Sequence, residues 1–91
     1  MSAPDRQPTS FEMLCGGLAA QVHVGLGLRA DPISNKTAKD LAAARQGIDL
    51  LAMLDEKTRG NLTSEEARLL GAILADLRLA YVRSATAKPA S

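Results

Sequence analysis

Ninety-one residues with eleven basic and ten acidic side chains make one small domain without the dense basic face that nucleic-acid binding requires. Phe11 and Tyr81 are the only aromatics and tryptophan is absent, so the core has to be built from Leu, Ile, Val and Ala. The single cysteine excludes an internal disulfide and points to a cytoplasmic protein.

Residues 1–8 are polar and carry two prolines, which predicts a disordered tail. Thr9 with Glu12 has the spacing of a capping box, with Pro8 just outside the helix. The spacing predicts a first helix over Ser10–Leu28. Phe11, Leu14, Cys15, Leu18, Val22 and Leu26 recur every three or four residues and form one apolar stripe. Met13, Gly17, Ala20, Val24 and Leu28 form a second stripe, well separated from the first at 100° per residue. Gly16, Gly17, Gly25 and Gly27 each cost up to about 1 kcal/mol of helix propensity, so packing has to hold this helix together. The apolar run Met13–Leu28 falls short of the ~20 residues of a membrane-spanning helix. The residues before it lack the positive region of a signal peptide.

Arg29–Asn35 predicts a loop around Pro32. Ser34, Asn35 or Thr37 is the expected cap of a second helix, running from about Lys36 to Arg59. Leu41, Ala44, Ile48, Leu51 and Ala52 form its main stripe, widened by Ala43, Leu50 and Leu54. Arg45, Gln46, Asp49, Glu56 and Lys57 form its wet face. Asp55 and Arg59 stand at i,i+4 in the favourable order.

Residues 48–66 carry the clearest signals. Lys57 and Arg59 place positive charge at a helix C-terminus, Gly60 suits the left-handed closing residue, and Thr63 with Glu66 repeats the capping box. A connection this short folds the second and third helices into an antiparallel hairpin. The third helix is expected over Ser64–Arg83, with an apolar arc of Leu69, Leu70, Ile73, Leu74, Leu77, Ala80 and Tyr81. Residues 85–91 are expected to be a second disordered tail. The expected fold is therefore all-α: one domain over residues 9–84, a helical hairpin with the first helix packed across it.

Catalytic chemistry is not indicated. Cys15 and His23 are the only soft metal ligands and stand eight residues apart, too far to converge on one metal or to act as a nucleophile–base pair. The Gly25-Leu26-Gly27 segment lacks the later residues of a phosphate loop and any preceding strand. Asp49, Asp55 and Glu56 belong to an exposed helical surface. The expectation is a non-enzymatic protein with no cofactor and no metal. The second stripe of the first helix is either core or a contact surface. Its small residues, with the adaptable Met13, favour contact, so Met13, Gly17, Ala20, Val24 and Leu28 are the expected partner-binding or self-association residues.

Phe11–Leu28 (FEMLCGGLAAQVHVGLGL) and Ile48–Val82, with its run IDLLAMLDEKTRGNLTSEE ending in DLRLAYV, resemble a bacterial family of short helical proteins of unknown function, which includes RomX-like regulators of a Ras-like polarity GTPase. The resemblance implies a protein partner: a Ras-like GTPase in its GTP-bound form, engaged together with a response-regulator protein, with promotion of nucleotide exchange. It supplies no active site. The alternatives are a self-associating helical adaptor without a GTPase partner, or an enzyme or small-molecule carrier using the bundle interior. No nucleic-acid or membrane partner is expected.

Overall fold

The computed structural model describes residues 7–86. The expected tails, residues 1–8 and 85–91, lie largely outside the described residues. Three helices follow one another, α1 (Ser10–Gly25), α2 (Leu41–Lys57) and α3 (Ser64–Thr86), and all three pairs are in contact. The C-terminal end of α1 meets the N-terminal end of α2, and the N-termini of α1 and α3 meet each other. The chain thus runs up, down and up again. No strand is present among the described residues.

Local chemistry sets most of the boundaries. At the start of α1 the Glu12 N–H donates to Thr9 Oγ1 at 3.1 Å, and the Thr9 N–H donates to Glu12 Oε1 at 2.8 Å, which is the expected capping box. Gly60 closes the α2–α3 connection at φ +88°. There the Asn61 N–H donates to Thr58 O at 2.9 Å, and Thr63 and Glu66 exchange both bonds of a second capping box. Arg59 and Asp55 pair at 3.5 Å, an exposed i,i+4 contact worth only a few tenths of a kcal/mol.

Three boundaries differ from expectation. The first helix stops at Gly25, three residues early, because Gly27 takes φ +77°. The Leu28 N–H donates to His23 O and the Gly27 N–H to Val24 O, the paired bonds of a Schellman stop. The second helix begins at Leu41, not Lys36, and its cap is Asp40, not Ser34, Asn35 or Thr37. Asp40 accepts from the Ala43 N–H at 3.1 Å. The preceding backbone is committed elsewhere: the Lys36 carbonyl accepts from Asp31, and the Asp40 N–H donates to Gly25 O at 2.7 Å. Asp31 Oδ1 also accepts from Ile33 and Ser34, and Asn35 turns the loop at φ +58°. The third helix continues to Thr86, three residues beyond the expected end.

The core takes three side chains from each part of the chain: Cys15, Val22 and Leu26, then Ala44, Ile48 and Leu51, then Leu70, Leu74 and Leu77. Phe11, Leu18, Ile73 and Tyr81 pack around them. The tightest approach is between α1 and α2. A Cβ added at Gly47 would sit 2.5 Å from Val22 Cγ2, and one added at Gly25 would sit 3.0 Å from the Ala44 backbone N. Gly16 and Gly71, in contrast, have nothing within 4 Å of an added Cβ. Gly16→Ala and Gly71→Ala should each raise stability by up to about 1 kcal/mol through helix propensity alone. Urea unfolding of the two variants checks this.

The N-termini of α1 and α3 are joined electrostatically. The Thr9 hydroxyl, then the Thr63 N–H and hydroxyl, hold the Glu66 carboxyl below its ordinary range, against smaller opposing effects of burial and of Glu12. A carboxyl with a depressed folded-state pKa stabilises the fold above its unfolded pKa, and that stabilisation is lost as pH falls through the folded pKa. Stability should therefore fall on acidification below the ordinary carboxylate range, and Glu66→Gln should flatten that dependence. Thermal unfolding of both proteins between pH 7 and pH 3 measures the difference.

Candidate interaction surface

Cys15 lies in the core. Burial, then the nearby Glu66 and Glu12 carboxylates, push its thiol pKa up, which keeps it protonated and a poor nucleophile. His23 is half-buried, two turns further along α1 and roughly 12 Å away along the axis. Among the described residues no three His, Cys, Asp or Glu side chains cluster to hold a metal ion, and no helix is long and apolar enough to cross a membrane.

The expected contact strip divides in two. Met13 is 63 % exposed, and Gly17 is exposed with open space over its Cα. Ala20 and Val24 are half-buried and share a recess of about 150 Å³ with Arg29, Ala30 and Pro32 of the following loop. Leu28 is exposed but lies beyond the Schellman stop, so it is not on the helical stripe at all. Within the chain, close backbone approach occurs at Gly25 and Gly47.

A second exposed apolar surface lies beside the strip. Leu14, expected in the core stripe, is 49 % exposed, and Leu50 and Met53 of α2 are each 41 % exposed. The antiparallel register explains why these residues belong together. Val22 and the Leu18 carbonyl lie against Gly47, so Leu14, one turn back along α1, comes level with Leu50 and Leu54, about one to two turns on along α2. At 100° per residue Leu14 and Gly17 on α1, and Leu50 and Leu54 on α2, flank this contact on the side away from α3. The result is an apolar seam between α1 and α2, with Gln21, Gln46 and Lys57 along its rim, whereas Met13 and Met53 lie about 100° and about 60° further round their helices than Leu14 and Leu50. Residues 13–28 carry no charge, so nothing on α1 between Glu12 and Arg29 opposes an apolar partner. The α2 half of this surface was not apparent from sequence, since Leu50 and Leu54 read there as a widening of the core stripe.

Neither the curated proteins nor the solved structures contain a match to this chain. Residues 8–83, which span all of α1 and α2 and α3 up to Arg83, match the family described as Domain of unknown function (DUF1844), and the chain belongs to that family.

Proposed function

We propose that this chain is a non-enzymatic protein-interaction module that receives an apolar helix of a partner on the α1–α2 seam. The observation that carries this reading is the exposure of Leu14 and Leu50, 49 % and 41 %, on the two flanks of the α1–α2 contact that face away from α3. A fourth helix laid there would bury those side chains and complete a four-helix arrangement. The resemblance to RomX-like regulators supports a more specific assignment: the chain acts in a complex with a response-regulator protein, binds a Ras-like GTPase in its GTP form and promotes nucleotide exchange. Release of a fluorescent guanine nucleotide from the GTPase of the same bacterium tests this. Exchange should accelerate when the chain and the response regulator are added together. An unchanged rate at saturating concentrations of both contradicts the GTPase assignment and leaves the interaction-module reading to be judged on its own binding partners.

The same uncharged face favours a second reading, self-association, because a second copy would meet no like charge from α1. Sedimentation equilibrium separates the two: a monomer at millimolar concentration rules out the second.

A further inference from the structure

We propose that a second site, at the opposite end of α1 from its capping box, binds the carboxylate of a single-chain amphiphile such as a medium-chain fatty acid. The site is a groove of about 450 Å³ between the α1 stop, Lys39 and the last turns of α3, a size typical of small-molecule sites. Leu26, 2 % exposed, and Ala80 form its apolar floor, and Leu28, 66 % exposed, forms a wall. Lys39 and Arg83 supply two positive charges, and no carboxylate lines the groove among the described residues.

Three features show that the groove is built to hold something. Gly27, at φ +77°, has no side chain, and an added Cβ would lie 3.5 Å from Lys39 Cγ, so the lysine stem lies along the α1 stop. The backbone of Lys39 is fixed there by an antiparallel bridge to Leu26. Its Nζ reaches across to the Ser84 carbonyl at 3.3 Å, a long bond that an incoming anion can replace. The Ser84 hydroxyl is buried without a hydrogen-bond partner among the described residues. Its neighbour Thr86 bonds back to Val82 O at 2.8 Å, and Thr58 does the same to Leu54 O at 2.6 Å. Ser84 makes no such bond, and a buried polar group without a partner calls for an explanation.

The ligand class follows from these groups. Two cations select an anion, and the Leu26, Leu28 and Ala80 surface selects an attached apolar chain. The carbonyl ends of α1 and α3 border the groove and carry partial negative charge. They disfavour a doubly charged phosphate and leave a monovalent carboxylate as the better match.

The test is a titration of the full, ¹⁵N-labelled chain with decanoate, followed by amide chemical shifts. Decan-1-ol and decyltrimethylammonium serve as controls, all below their micellar limits. Decanoate should produce saturable shifts at Leu26–Leu28, Lys39, Ala80 and Ser84, with affinity at least about tenfold above either control. Lys39→Met with Arg83→Met should weaken decanoate at least about tenfold. Should the double variant not fold, Arg83→Gln alone, at an exposed position, decides the point. Equal binding of decanol, shifts confined to the Leu14–Leu50 seam, or no saturable shift at millimolar decanoate would each overturn the site. None of these outcomes bears on the GTPase assignment.

Discussion

Gly47→Ala should destabilise the fold by about 1–3 kcal/mol, even though alanine is the better helix former by about 1 kcal/mol. The added methyl would stand 2.5 Å from Val22 Cγ2, well inside van der Waals contact. Val22 is fully buried and branched at Cβ, so it has one strongly preferred rotamer in a helix and little room to turn away. The Leu18 carbonyl lies only 4.0 Å from the same point, so α1 as a whole has to move. The steric cost therefore exceeds the propensity gain, opposite in sign to the expectation at Gly16 and Gly71. For a domain of this size each kcal/mol lowers Tm by roughly 4–8 °C. Val22→Ala on its own also costs stability, through lost burial. In the Gly47→Ala background it removes the clashing methyl, so the double variant should be more stable than the two single effects added together. Strict additivity, or a Gly47→Ala protein more stable than the parent, would show that the helices are not held at this distance.

The second large effect concerns association. Leu14→Glu combined with Leu50→Glu puts two carboxylates on the α1–α2 seam. Both positions are substantially exposed, so the fold should keep its stability to within about 1 kcal/mol. A partner helix would have to desolvate both charges without a counter-charge, and its affinity should fall at least about tenfold. Leu79→Glu, on the outer surface of α3 at 51 % exposure, is the matched control and should leave partner binding unchanged. Titration calorimetry with the partner, alongside thermal unfolding of each variant, separates loss of contact from loss of fold.

The parts of the fold legible in sequence are those decided within a few residues. Thr9 with Glu12, Thr63 with Glu66, and Gly60 act through neighbouring backbone groups, and both capping boxes form where the residue types place them. The start of α2 was not legible because a tertiary bond decides it. The Asp40 N–H belongs to the Gly25 carbonyl, and that partner is known only once α1 is in place. Leu28 was carried past the end of α1 by periodicity, which does not register the left-handed turn at Gly27. Gly47 reads as a weak point in a helix until Val22 is seen against it. The proposed contact surface is partly legible for the same reason. Its α1 half stands out as a charge-free stretch, whereas the α2 half depends on which edge of that helix borders α1.

The most direct test of the proposed function is the affinity of the chain for a Ras-like bacterial GTPase. The GTPase would be loaded with a non-hydrolysable GTP analogue or with GDP, the response regulator would be present, and the wild type would be compared with the folded Leu14→Glu/Leu50→Glu variant. The account predicts binding that prefers the GTP form and is weakened at least about tenfold by the double substitution. Undiminished binding by the folded variant would contradict the seam as the contact surface, and no binding by the wild type to either form would contradict the GTPase assignment.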